Sequence, residues 1–345
     1  MPFFHWRKQM TYKAMQASGN GSLELVECSI PEPDAGEVLI KIEACGICGA
    51  DGGVIDGTEK NVAYPRVPGH EVVGTLIKLG SGVPSGLRVG QRVGVGRLGG
   101  HCNECDACRR GEFTLCSHQP VVGSSRDGGY AEMMLAKATG LVAIPDTLSA
   151  VAAAPLLCAG IATFNAVRKS GAQPGDSIAV LGIGGLGHLA VQYAAKMGFR
   201  VIAIGRGGDK AQAALTLGAS DYLDSSQDNP VEALKKLGGV KAIVTTVTDN
   251  AIASSLLPAL QPKGKLMVLG VGQQPLMLSP GMLVGRELSV EGSLTGTPYE
   301  TESALRFSLL NNVQPMTEIF PLAQANEAWQ KMKSGKARFR IVLTM

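Results

Sequence analysis

The sequence predicts an α/β protein of two domains, a mainly β N-terminal part followed by a doubly wound parallel sheet. Three observations carry this reading. A chain of 345 residues is too long for one ordinary hydrophobic core. Its first part alternates apolar and polar residues over short runs broken by proline and glycine, the pattern of antiparallel strands. Its later part alternates apolar strands with helical runs, the rhythm of a parallel sheet with crossover helices.

Regular patterning begins at Tyr12, so the opening dozen residues read as an appendage. Residues 23–43 alternate in short runs broken by Pro31, Pro33 and Gly36, and residues 72–79 and 92–95 continue the pattern. Gly80, Gly82, Gly86, Gly90 and Gly94 recur too closely for helices of ordinary length. After Pro145, residues 148–167 carry helix-forming alanines and leucines, interrupted by Pro155 and Gly160. Residues 177–181 then read as a buried strand, 187–197 as a helix and 200–204 as the next strand. Helical runs at 211–217 and 230–237 and strands at 221–223, 242–245 and 265–269 extend the alternation. Beyond about Gly296 the pattern is mixed and ends in a strand-like run at 338–343.

Composition excludes several classes of function. With 45% hydrophobic and 18% charged residues the chain is a well-buried globular protein, not a disordered one. A formal charge of +3 with scattered basic residues offers neither a nucleic-acid stripe nor a membrane patch, which leaves a small molecule as the expected partner. No run approaches the roughly 20 apolar residues of a membrane span, and residues 1–8 lack a signal-peptide core, so the expected location is cytoplasmic. Eight cysteines, four of them between Cys102 and Cys116, suit metal binding in a reducing compartment better than a disulfide framework.

Gly182-Ile183-Gly184-Gly185-Leu186-Gly187 fits G-x-G-x-x-G between a strand and a helix. The first glycine permits the tight turn, the second lets backbone approach a pyrophosphate, and the third packs helix on strand. Gly182, Gly184, Gly185, Leu186 and Gly187 are therefore the expected pyrophosphate contacts, at a helix N-terminus that favours anions. NAD-specific units place an acid at the end of the next strand to hold the ribose hydroxyls. Here that place is Gly205, followed by Arg206 and, after a short turn, Lys210. Loss of the acid and gain of a guanidinium favour NADP(H), with NAD(H) possible if Arg206 is only a solvated turn residue.

Cys102-x2-Cys105-x2-Cys108-x7-Cys116 supplies four thiolates, enough for a closed tetrahedral zinc, with His101 and His118 read as surface residues. A second set is dispersed: Cys48, His70 and Cys158, the two-thiolate, one-imidazole set of a catalytic zinc, with Glu71 as an occasional fourth ligand. Asp51 fits a carboxylate that accepts a proton from His70 and fixes its tautomer. Cys45-Gly46-Ile47-Cys48 also matches C-x-x-C, so a thiol-disulfide role competes.

These motifs taken together resemble the zinc-dependent alcohol dehydrogenases of the medium-chain dehydrogenase/reductase superfamily, from about Tyr12 to the C-terminus. The resemblance rests on the Cys48 segment, Gly69-His70-Glu71, the four-cysteine lobe, Pro155-Leu156-Leu157-Cys158-Ala159-Gly160 and the glycine loop. It implies a GroES-like catalytic domain from residues 1–157 and 297–345, carrying a structural zinc lobe at about 99–118, with a Rossmann domain at 158–296. It also implies two Zn(2+) per chain, Cys48, His70, Cys158 and Asp51 as the residues of catalysis, Cys45 as a bystander, and a homodimer or homotetramer. The implied reaction is hydride transfer between a nicotinamide and an alcohol/carbonyl pair in a dry cleft. The family carries Ser or Thr at the position of Ala50, often His at that of Gly53, and a polar group at that of Gly49. Their absence here predicts weak alcohol oxidation with carbonyl reduction favoured, a water chain or Thr58, Tyr64 or Ser124 standing in for the relay. The competing reading is a dinucleotide-binding zinc protein of the same fold that has lost turnover.

Overall fold

A computed structural model describes residues 11–345, and residues 1–10, most of the segment read as an appendage, lie outside them. The chain forms two compact units. One holds the residues up to Cys158 together with Thr297–Leu305 and Met316–Met345, and the other holds Ala159–Gly296 and Arg306–Pro315.

The first unit opens with an antiparallel pair, β1 (Thr11–Ala17) and β2 (Leu23–Ser29). Next comes β3 (Glu37–Ile47), an 11-residue strand rich in β-branched and aliphatic residues. It is paired with β4 (Val72–Leu79), beside which run β5 (Arg92–Val95), β6 (Met133–Lys137) and β7 (Leu141–Ala143). Register shifts at Leu39/Ile40 and Ile42/Ala44 mark irregularities along β3, which pairs with β4 on one edge and with β6 on the other. Ile40, Ile42, Leu76, Tyr130 and Trp329 lie in the core below.

The second unit is a six-stranded, all-parallel sheet of β8 (Ser177–Leu181), β9 (Arg200–Gly205), β10 (Asp221–Asp224), β11 (Val240–Thr245), β12 (Leu260–Val268) and β13 (Ser289–Gly292). The strand order β10-β9-β8-β11-β12-β13 is that of a doubly wound sheet, with the direction of winding reversing beside β8. β8, β9 and β11 read as near-continuous apolar runs because both their faces are covered. The chain then returns to the first unit as β14 (Thr317–Pro321) and β15 (Arg340–Thr344), and β15 pairs antiparallel with the end of β3. This completes a seven-stranded sheet.

Among the differences from the sequence reading, two concern helices. The break in the helical run falls at Cys158 (φ −130°, ψ −76°), between a 3-10 turn at Ala154–Leu157 and a helix at Ala159–Lys169, and not at Gly160. Pro155 is accommodated because it sits in the opening positions of the turn, where its missing N–H has no partner to lose. The mixed C-terminal region contains helices at Pro298–Asn311 and Ala325–Lys333. The first carries no single apolar stripe, since Ala304 and Leu305 are buried while Leu310 on the same helix is exposed, and periodicity therefore missed it. Among the described residues no single helix is long and apolar enough to cross a membrane.

Candidate active site

β3 delivers Cys48 at its end, where the chain turns through a 3-10 turn at Gly49–Asp51. The Asp51 carboxylate folds back to accept the Cys48 N–H at 2.9 Å through Oδ2. The same oxygen accepts the Tyr130 hydroxyl at 2.9 Å, and Oδ1 lies 2.8 Å from His70 Nδ1. Asp51, His70 and Tyr130 are all buried. A carboxylate so far from water must be fully bonded, and this one has three donors from three separate segments.

His70 is placed by the turn before β4. Gly69 has φ +97°, and a β-carbon there would lie within 2.6 Å of Tyr130 Cε1 and 2.9 Å of Cys45 Sγ, so this position needs glycine on both counts. Backbone bonds from Gly129 N to Gly69 O and from Tyr130 N to Pro68 O fasten the turn. Glu71, the next residue, gives one oxygen to the Arg340 guanidinium at the start of β15, while its Oε2 is buried without a partner. A β-carbon on Gly46 would overlap that carboxylate. His70 Nε2 is also buried without a partner.

Cys158 brings the second thiol, with its Sγ 4.0 Å from that of Cys48. One ligand atom from each of Cys48, His70, Glu71 and Cys158 lies within 4.8 Å of the others. Two thiolates on one tetrahedral zinc, each at about 2.3 Å, stand about 3.8 Å apart, so the spacing, the free Nε2 and the free carboxylate oxygen all fit a cation. Hydrogen bonding from Cys158 holds the Cys48 thiol well below its usual value, and the same contact with burial drives Cys158 well above. Burial lowers His70, but Asp51 and Cys48 outweigh it and raise the imidazole to about 10. Cys45 is fully buried, and burial pushes its thiol well up, in contrast to the accessible, low-pKa thiol that a C-x-x-C redox pair uses.

The four-cysteine lobe forms a second cluster. Cys102, Cys105, Cys108 and Cys116 offer sulfurs within 4.8 Å of one another, with Cys102 Sγ 3.9 Å from that of Cys108 and 3.6 Å from that of Cys116. These are too long for disulfides and right for a shared cation. The N–H groups of Cys105 and Glu104 point at Cys102 Sγ and lower that thiol to about 7. His118 is exposed, and His101 is half-buried with its ring 4.2 Å from that of Phe113.

In the second unit the glycine loop leaves β8. Gly182 has φ +91°, with Thr246 and Val247 against the place of a β-carbon, and a β-carbon on Gly187 would overlap Gly182 O. At Gly184 nothing lies within 4 Å, so open space borders the backbone where a pyrophosphate would approach. The helix Gly187–Lys196 starts without a side-chain cap. A cavity of about 440 Å³ opens beyond the ends of β12 and β13, bordered by Asn250, Val268, Val271, Ser293 and Leu294. Gly205 ends β9, Arg206 is exposed and Lys210 is half-buried.

Against known families, residues 34–146 match the alcohol dehydrogenase GroES-like domain, and residues 185–309 match the zinc-binding dehydrogenase domain. An alcohol dehydrogenase from Aspergillus sp. (strain MF297-2) is 42% identical over 94% of both chains. The chain belongs to the zinc-binding alcohol dehydrogenases of the medium-chain dehydrogenase/reductase superfamily. It is thus an oxidoreductase of the NAD(P)-dependent type acting on small alcohol/carbonyl substrates, with GroES-like and Rossmann domains. Among solved members of this alcohol dehydrogenase family, the acetophenone reductase of Geotrichum candidum in complex with NAD is 29% identical, with a TM-score of 0.86 over 97% of each chain. The CAD of Helicobacter pylori complexed with NADP(H) is 27% identical, with a TM-score of 0.86 over 97% of this chain and 98% of that one.

Sequence reasoning did not find Tyr130 or Arg340. Tyr130 follows Gly128-Gly129, a turn signal that says nothing of a buried hydroxyl, and Arg340 is separated from Glu71 by most of the chain. Two outcomes are expected. Tyr130→Phe keeps the ring but removes a hydrogen bond to a charged group, and should lower stability in urea by about 1.5–3 kcal/mol. His70 and Cys158 hold protons that a cation must displace, so zinc affinity measured against a chelator should climb with pH up to at least about 10; a flat profile would contradict a protonated His70 and Cys158 in the metal-free protein.

Proposed function

We propose that this dehydrogenase is an NADP(H)-preferring, two-zinc alcohol dehydrogenase/aldehyde reductase that works mainly toward carbonyl reduction. The observation that carries the reading is the convergence of Cys48, His70, Glu71 and Cys158 on one point, with His70 Nδ1 held by Asp51 so that Nε2 is left for metal. Cys48, His70 and Cys158 would hold the catalytic zinc with Glu71 as an exchangeable fourth ligand, and Cys102, Cys105, Cys108 and Cys116 the structural one. When bound, the zinc polarises a carbonyl or stabilises an alkoxide, and the nicotinamide supplies or takes the hydride.

The chain's own residues do the rest. Asp51 keeps the His70 tautomer, Tyr130 and the Cys48 N–H hold Asp51, and Arg340 neutralises Glu71 so that a second uncompensated charge does not sit in the pocket. Gly182, Gly184, Gly185, Leu186 and Gly187 would cradle the pyrophosphate, and Gly205, Arg206 and Lys210 the adenosine end. For the proton, Tyr64 gives its hydroxyl to Val54 O, whereas Ser124 is buried and bonds Glu59, whose carboxylate folds against Gly53. That pairing supports Ser124 with Glu59 as the proton outlet in place of the groups missing at Ala50 and Gly53. A second copy of the chain is the proposed partner, on the support of the open edge of β13 and the exposed Val271 and Leu294. Eight unpaired cysteines support a reducing, cytoplasmic setting.

Metal analysis should find about two zincs per chain. Cys48→Ser should lose one of them and all turnover, whereas Cys45→Ser should be mild; loss of turnover with Cys45→Ser would favour thiol chemistry. Ala50→Ser should raise kcat for alcohol oxidation by up to about 10²-fold if the native path is limiting. No gain would show that the native site already has its own proton path. Cofactor binding without hydride transfer to any of a panel of aldehydes would instead identify a dinucleotide-binding protein that has lost turnover.

A further inference from the structure

The turn after β9 is tied to β10 through its own backbone groups. Gly205 O accepts Ser225 N at 2.8 Å and Ser225 Oγ at 2.9 Å. Gly207 N donates to Asp224 Oδ1 at 2.8 Å, and Gly207 O accepts the Tyr222 hydroxyl at 2.6 Å. Gly207 itself has φ +82°, a conformation in which a side chain is strained. The turn is therefore clamped on both sides of Arg206, whose side chain is left exposed.

Tyr222 also occupies volume. A β-carbon on Gly205 would overlap the Tyr222 phenol oxygen and lie 3.0 and 3.1 Å from Cζ and Cε2 of its ring. A tyrosine has only two side-chain torsions, and this one is held at its tip by Gly207, so it cannot yield without breaking that bond. No residue larger than glycine fits at 205 while Tyr222 stands where it does. Position 205 is where an acid would select the free ribose hydroxyls of NAD(H).

We infer that Tyr222 is a specificity-determining residue for the cofactor. By filling the room for a side chain at 205 it excludes the NAD-selecting acid, and by bonding Gly207 O it sets the turn that presents Arg206 to a 2′-phosphate. The guanidinium matters only because the turn is held, and the glycine only because the phenol is there. Asp224 holds the turn from the other side, its Oδ1 accepting Gly207 N, Ser226 N and Ser226 Oγ. The inference rests on the NADP(H) reading above and deepens it.

The test measures dissociation constants for NADPH and NADH by fluorescence, and melting temperatures without cofactor, for wild type, Gly205→Asp, Tyr222→Val, Tyr222→Phe and the double variant Gly205→Asp/Tyr222→Val. Gly205→Asp alone should weaken both cofactors and lower the melting temperature, with little change in their ratio. The double variant should shift the ratio toward NADH at least tenfold beyond either single change, a coupling expected of residues competing for one volume. Tyr222→Phe, which keeps the ring, should retain the steric exclusion and lose only part of the NADPH affinity. The inference is overturned if Gly205→Asp alone moves the ratio as far as the double variant, or if the double variant does not move it. Wild-type preference for NADH would sink the NADP(H) reading on its own, because the coupling between 205 and 222 is judged from the change in ratio and not from its starting value.

Discussion

A single buried carboxylate organises the candidate zinc site. Asp51 is almost wholly removed from water, and a charge in that position is tolerated only when every lone pair it presents is answered. Its donors are the Cys48 N–H, the Tyr130 hydroxyl and the His70 ring, which come from the end of β3, the turn before β6 and the turn before β4. Satisfying one group therefore fixes the relative positions of three segments. Two of them carry proposed zinc ligands, and the third carries the ring that fills the space beside Gly69.

The second constraint is the ion pair between Glu71 and Arg340, both buried. Burial pushes the Glu71 carboxyl up to about 7, against the pull of the guanidinium, so the pair is held at a cost that the rest of the sheet must cover. Arg340 opens β15, which pairs with the last residues of β3. The strand that presents Cys48 is thus completed by a segment from the far end of the chain. Breaking such a pair from one side leaves an unpaired buried charge, which is why this contact reads as a requirement of the fold as well as of the site.

In the second unit, glycines mark where something else needs the room. Gly182 and Gly187 are crowded by Thr246, Val247 and each other, while Gly184 borders open space. The first two are glycines for the protein's own packing, and the third faces unoccupied room. Gly205 belongs with the crowded group, its β-carbon position taken by the ring of Tyr222.

Local pattern alone was enough for the β8 to β12 alternation, the glycine loop and the four-cysteine lobe, because in each the period or spacing carries its physical reason. Strands at 72–79, 92–95 and 177–181 could be read to the residue since burial alternates or persists along them. Residue chemistry also picked out Cys48, His70, Glu71 and Cys158, but only as dispersed members of a suitable ligand set. Their convergence, the places of Tyr130 and Arg340 behind them, and the contact of Glu59 with Gly53 emerge only in three dimensions. Helix Pro298–Asn311 escaped the pattern because its apolar residues do not share one face. The remainder was hidden for a common reason: hydrogen bonds and steric exclusions between residues far apart in the chain leave no mark on local spacing, and they exist only once the sheet has brought the partners together.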